Sequence, residues 1–192
     1  MVKKEDLIGK ETAEMQALLE GDVAAWAAEV ETLETEAELL AREEELVEAM
    51  KEGEAKLATT VYALPEGAKF DGTEFSRKVL CEYIVDFLNM QELDWSYSLG
   101  MFELVKLWKT RDLAEVSYHA FDSTIRVLGQ CKYRGYEAWR KVLVVNEFLK
   151  SLHSQYTLDA TYMIYLAQLH NTVLDALKKF ETPAEEVETE VE

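Results

Sequence analysis

The chain has 192 residues, 38 of them acidic against 20 basic, and a net charge of −18. That length suffices to bury one core, while so large an acidic excess opposes nucleic acid and anionic lipid and favours partners with basic surfaces. Two prolines and eight glycines are too few for the tight turns of a sandwich or barrel, and the abundance of Ala, Leu, Glu and Lys points to an all-α fold.

Residues 1–21 are weakly patterned: Met15, Leu18 and Leu19 begin a helix that Gly21 is expected to interrupt. No apolar core follows Met1-Val2-Lys3-Lys4, so no secretory leader is expected there. Asp22 is placed to cap the next helix through its carboxylate. From there Val23, Trp26, Val30, Leu33, Ala37, Leu40 and Val47 recur in heptad register, with Glu44 in one slot of the seam. The pattern predicts a long amphipathic helical arm, residues 1–56, ending near Gly53. Its apolar stripe serves either self-association as a coiled coil or docking on the chain's own domain. The other faces are crowded with glutamates, Glu29 to Glu48, with Arg42 and Lys51 as nearby bases, and like charges at i,i+4 spacing cost a few tenths of a kcal/mol each.

Thr59 to Leu64 is β-branched and extended in character, and Pro65-Glu66-Gly67 signals a turn. Residues 57–72 are therefore expected to be an extended linker, since a lone strand is marginal without a partner. A helical bundle over 73–181 follows. Thr73 caps a helix over 74–91 with Phe75, Val79, Leu80, Tyr83, Phe87 and Met90 inward. Asp94 caps 95–109, with Leu99, Phe102, Val105 and Trp108 on one face. Thr110 or Asp112 opens 112–129, which stops near Gly129. A fourth helix over 136–153 contains Val142-Leu143-Val144-Val145, apolar on all sides and thus central. Thr157 caps the last, 158–180, which Pro183 ends. The tail, 182–192, has too little apolar surface to fold alone and is expected to be disordered. Between Ala160 and Leu174 lies the longest uncharged stretch, about 15 residues, short of a bilayer span.

Charge is sorted along this plan. Residues 70–180 hold 13 bases and 14 acids, whereas 1–69 hold 7 and 18, and 181–192 hold 0 and 6. The balanced middle is the part able to fold as a core, and the acid belongs to the two ends.

Signals of chemistry are few. The chain lacks a Gly-rich phosphate loop, a Cys-x-x-Cys pair and a nucleophile elbow, so no catalytic residue and no cofactor are assigned. Glu115 and His119 are spaced to share a metal on one helix, but the facing glutamates of a di-metal bundle are missing, and no metal is assigned. His153 falls where a helix should end, and His170 reads as a helix-face residue. Cys81 and Cys131 read as small buried hydrophobes in a reducing compartment, which places the chain in the cytoplasm, or in a virion if it is of phage origin.

One constellation stands apart. Arg126, Lys132, Arg134, Arg140 and Lys141 are interleaved with Tyr133, Tyr136 and Trp139, against the single acid Glu137. Bases among aromatics suit single-stranded nucleic acid, but the total charge opposes it; the residues either lie over the core with the aromatics packed beneath, or receive carboxylates from the acidic ends or a neighbouring copy. A second basic knot, Lys106, Lys109 and Arg111, surrounds Trp108. Three functions are compatible with these residues. The first is a non-enzymatic structural, assembly or adaptor protein, whose partner is itself or another protein with a basic surface. The second is an acidic mimic of nucleic acid that inhibits a DNA- or RNA-binding protein, and the third is a small-ligand-binding helical domain or enzyme. Neither nucleic acid nor membrane is expected as a direct partner.

Overall fold

The computed structural model describes residues 1–90 and 98–180. The predicted cap at Asp94 and the tail 182–192 lie outside the described residues. The fold is mainly all-α: six α-helices and two short antiparallel strand pairs among the described residues. The chain divides into two compact units, one formed by residues 1–54 with those from Ala160 onward, the other by Ala55–Asp159. The expected boundaries at 56, 72 and 181 differ from these because the last helix supplies side chains to both cores, which its sequence, apolar in each half, does not reveal.

In the first unit the predicted long arm is two helices, α1 (Thr12–Glu31) and α2 (Glu36–Thr59), preceded by a 3-10 turn at Lys4–Leu7. Thr32 ends α1: its amide and hydroxyl both donate to the Glu29 carbonyl, at 3.0 and 2.6 Å. Thr35 then opens α2 through a reciprocal capping box. The Glu38 amide donates to Thr35 Oγ1 at 3.3 Å, while the Thr35 amide and hydroxyl donate to Glu38 Oε2 at 3.2 and 2.7 Å. These bonds hold the Glu38 carboxyl below its ordinary pKa. The Thr-x-x-Glu signature was present at 35–38, and it marks a break within the heptad pattern.

The break resets the helical phase. Trp26 and Val30 are buried and Val23 half-buried as one stripe of α1, with Leu33 half-buried just beyond its end, but in α2 the buried positions are Leu39, Leu46 and Leu57. Ala37 and Leu40 are consequently exposed and Val47 only half-buried, so the seven residues do not form a continuous seam. Arg42 on α2 bonds to Glu29 on α1 and to Glu45 at 3.2 Å, and its guanidinium lies 5.3 Å over the Trp26 ring. It thus tempers the glutamate excess and covers the largest apolar ring of α1.

Asp22 is inside α1 and caps nothing. It accepts hydrogen bonds from the Tyr165 hydroxyl and from the Val2 amide at 3.4 Å. The final helix, α6 (Tyr136–Leu177), is also continuous where two helices were predicted: Thr157 lies within it, 3.2 Å from His153 Nδ1, so neither residue marks an end. Its last turns bury Tyr165, Leu166, Leu169 and Val173 in the first unit, and His170 Nε2 lies 3.8 Å from Glu43 Oε1 of α2.

Both glycines expected to interrupt helices are inside them. Gly21 of α1 has open space around the position of a Cβ, so Gly21→Ala should raise the stability of this unit by about 0.5–1 kcal/mol. At Gly53 of α2 a Cβ would come within 2.7 Å of Met163 Sδ, a contact that forces the thioether to move. Gly53→Ala should therefore lack the gain. Thermal unfolding of the two variants beside the parent decides the point: equal stabilisation would show that Met163 does not fill the notch.

In the second unit the expected linker is structured. Strand β1 (Val61–Ala63) pairs antiparallel with β4 (Glu115–Ser117), Tyr62 opposite Val116, and the Leu64 and Tyr118 amides extend the ladder to the Ala114 and Thr60 carbonyls at 2.8 and 2.9 Å. The residues from 115 to 117 were expected to be helical. They are a strand because β1 supplies the partner that a sequence reading could not see. Helix α5 (Tyr118–Gln130) starts only after them, with the Ala120 amide donating to Ser117 Oγ at 3.3 Å.

Strands β2 (Gly67–Phe70) and β3 (Thr73–Ser76) form a hairpin around Asp71-Gly72, both at positive φ as a type I′ turn demands. Thr73 is thus a strand residue and not a helix cap, and helix α3 begins at Arg77 and runs to Asn89. Helix α4 spans Ser98–Trp108. The core joins Leu80, Ile84 and Phe87 of α3, Trp108, Phe121 and the inner face of α6 from Val144 to Leu152, with Tyr62 and Val116 from the strands. Met90, Leu99 and Phe102, placed inward by the helical periodicity, are exposed. Two buried polar pairs lie in this core: Trp108 Nε1 donates to Thr124 Oγ1 at 2.9 Å, and the Tyr62 hydroxyl donates to Asp159 Oδ2 at 2.7 Å.

Candidate functional site

The first two turns of α6 carry Tyr136, Trp139, Arg140 and Leu143 at spacings of three, one and three, which sets them on one helical face. The opposite face is committed to the core through Val144, Val145 and Phe148. The outward side chains are uncovered: Tyr136 is 77%, Trp139 53% and Leu143 49% exposed. The run 142–145, predicted to be buried on all sides, is therefore divided, because one helix of a bundle still presents one flank to solvent.

Neighbouring elements hold this ridge in place. The Trp139 ring lies 6.1 Å from Tyr133, and Tyr133 stands edge-on to buried Phe87 at 5.0 Å. The Tyr133 hydroxyl donates to the Leu128 carbonyl at 2.8 Å, and burial, reinforced by Cys131, pushes its pKa well up. On the other side the β2–β3 hairpin brings Phe70 and Asp71 alongside, enclosing a depression of about 470 Å³ with Tyr136, Trp139, Arg140 and Leu143. The Arg140 guanidinium lies 5.9 Å over Phe75 of β3.

Of the eight residues predicted to form a basic–aromatic surface, Tyr133, Tyr136, Trp139 and Arg140 come together here. Lys132 and Arg134 are exposed on the segment leading into α6, and no carboxylate pairs with them or with Arg140 among the described residues. Lys141, one residue on, turns away to bond Asp86 at 2.9 Å and sits 4.7 Å over the Tyr83 ring. Arg126 belongs elsewhere. It pairs with Asp122 one turn earlier on α5 at 2.9 Å, and the same carboxylate accepts the Tyr156 hydroxyl at 2.6 Å.

Phe70, Asp71 and Leu143 complete the site and were not singled out from the sequence. Asp71-Gly72 between Phe70 and Thr73 carried the hairpin signal that would have located two of them.

The second basic knot does not converge. Lys106 pairs with Glu103 at 3.8 Å, and Arg111 with Asp112 at 3.7 Å, both in open solvent. Lys109 and Arg111 line a separate cleft of about 640 Å³ whose wall includes Arg77, Cys81 and buried Trp108. Acids alternate with bases there: Glu66 meets Arg77 at 3.5 Å, and Glu82 and Asp86 line the same wall. Burial pushes the Cys81 thiol up to about 11, and burial likewise raises Cys131, so both stay protonated near neutrality.

Glu115 and His119 lie on different elements, strand β4 and the first turn of α5, which ends their predicted i,i+4 relation. No group of three His, Cys, Asp or Glu among the described residues is arranged to hold a metal ion. No helix among them is long and apolar enough to cross a membrane.

No protein-family model, curated protein or solved structure matches this chain. The site is an aromatic and aliphatic strip that carries Arg140, unpaired with any carboxylate among the described residues, and the Asp71 side chain beside it.

Proposed function

We propose that this is a non-enzymatic assembly protein that associates with further copies of itself through the Tyr136–Trp139–Leu143 face of α6. The observation that carries the reading is the simultaneous exposure of a tyrosine, a tryptophan and a leucine around an arginine, on a helix whose other face is packed. Trp, Tyr and Arg are the residues that dominate binding energy at interfaces, and an exposed contiguous patch of them is costly unless used. The heptad stripe is a weaker candidate, since Trp26 and Val30 are buried within their own unit. Self-association, and not capture of a basic partner, fits the division of charge, because the cationic face and the acidic ends belong to the same chain. Two cysteines outside any disulfide support a reducing compartment, and the cytoplasm is the compartment we propose.

The test is mass in solution by light scattering over a concentration series. The parent chain should form a dimer or larger species, and Tyr136→Ser/Trp139→Ser/Leu143→Ser should shift its dissociation constant by at least about thirtyfold, the loss of one hot spot of about 2 kcal/mol. All three positions are exposed, so unchanged circular dichroism is expected. A parent that stays monomeric at the highest concentrations, or an oligomer indifferent to the triple substitution, would overturn the proposal.

A further inference from the structure

We infer that the occupant of the α6 ridge is the acidic C-terminal segment, residues 181–192, of a second copy of this chain. The inference rests on the assembly reading above and names the partner of that same face.

Three features converge on this segment. The first is charge. Arg140 lies on the ridge, and Lys132 and Arg134 are exposed on the segment leading into it; none of the three is paired with a carboxylate among the described residues, in a chain where acids outnumber bases 38 to 20. The segment 181–192 carries six glutamates and no base, so it offers the missing partners.

The second is apolar complementarity. Among those glutamates stand Val187 and Val191, aliphatic groups of the size that a Trp139–Leu143 strip with a 470 Å³ depression beside it can shelter. A purely acidic polypeptide would leave the tryptophan uncovered. An acidic one with interspersed valines meets both halves of the surface.

The third is length. Tyr136 to Leu143 is seven residues of helix, about 10 Å of ridge at 1.5 Å per residue. Twelve residues of extended chain span about 40 Å at 3.3 Å each. The segment can cross the ridge and still leave residues to join it to the body of its own copy.

The exchange is reciprocal: each copy lends a tail and receives one, which closes a two-fold dimer with two equivalent contacts. The second contact then forms within an already joined pair, so two weak contacts yield a tight assembly.

Salt titration is a poor test, because salt screens the local attraction and the repulsion between two strongly negative chains together. Exchange of charge separates them. One full-length variant carries Arg134→Glu/Arg140→Glu, and the other carries Glu185→Lys/Glu186→Lys/Glu188→Lys/Glu190→Lys. Each alone sets like charge against like charge between tail and ridge, and each should weaken association by at least about thirtyfold. Mixed in equal amounts, the lysine tail meets the glutamate ridge and the native tail meets the native ridge. The mixture should recover dimer mass to within a few-fold of the parent.

Dimerisation of the parent that survives reversal of the tail, or a mixture that remains monomeric, would overturn the inference. Loss of dimer in the Tyr136/Trp139/Leu143 variant alongside an undisturbed tail-reversed dimer would sink the tail while leaving the assembly reading in place. A monomeric parent would remove both.

Discussion

Phe121→Ala should lower the stability of the Ala55–Asp159 unit by about 3–5 kcal/mol. Phe121 is fully buried at the start of α5, where three elements meet. Its ring stands edge-on to Tyr62 of β1 and to Tyr156 of α6, each at 5.6 Å between centroids. Truncation removes the ring's own burial, two edge-to-face contacts and the filler between a strand and two helices. The neighbours cannot collapse into the space, because the Tyr62 hydroxyl is held by Asp159 and the Tyr156 hydroxyl by Asp122. A domain of this size is stable by about 5–15 kcal/mol, so the variant should be partly unfolded at ambient temperature. Urea unfolding followed by circular dichroism and tryptophan fluorescence measures it. A loss under about 1 kcal/mol would mean that the tyrosines close over the gap and that the aromatic cluster is not the rigid joint described here.

Raising the pH past 10 should unfold the chain steeply. Tyr62 and Tyr165 are almost fully buried, and both are pushed up, first by burial and then by hydrogen bonds to Asp159 and Asp22. Burial and Asp122 raise Tyr156 to about 12, and burial raises Tyr118 and Tyr133 also. An unfolded tyrosine loses its proton near pH 10, whereas these retain it while folded. Above pH 10 the unfolded state therefore binds fewer protons, and stability falls as pH rises. It falls by about 1.4 kcal/mol per pH unit for each proton the folded state withholds.

Below pH 9 these groups contribute no slope, since both states are protonated. Helix content and tyrosinate absorbance followed together from pH 8 to 12 test this. The two should change in one cooperative step, and Tyr62→Phe should flatten the slope while lowering neutral stability, as buried Asp159 loses a donor. Gradual appearance of tyrosinate around pH 10 with the helices intact would contradict it.

The mainly helical fold, the interleaving of bases with aromatics at 132–141 and the buried phase of α1 were readable directly, because each depends on local spacing. The Thr35–Glu38 capping box and the Asp71-Gly72 turn were readable as well, since both are short motifs with a mechanism. The first separates α1 from α2, so a heptad register carried through it puts Ala37 and Leu40 on the wrong face. Overlooking the second turned a hairpin strand into the first turn of a helix. Gly21 and Gly53 show the limit of propensity. A cost near 1 kcal/mol is too small to end a helix that tertiary packing supports, and at Gly53 the missing side chain is where Met163 fits.

Composition and periodicity by themselves determined that this chain is helical, that its acidic excess belongs to its two ends and that aromatics interleaved with bases lie near residue 136, because these follow from residue type and nearest-neighbour geometry. Only the tertiary structure decided which of those bases stay free. Lys141 of α6 finds a carboxylate on α3, while Arg140, one residue before it, pairs with none among the described residues and its aromatic neighbours are exposed. Ion pairing depends on what the fold brings within about 4 Å, and residues 55 apart in the chain, such as Asp86 and Lys141, carry no sign of that meeting until the helices pack.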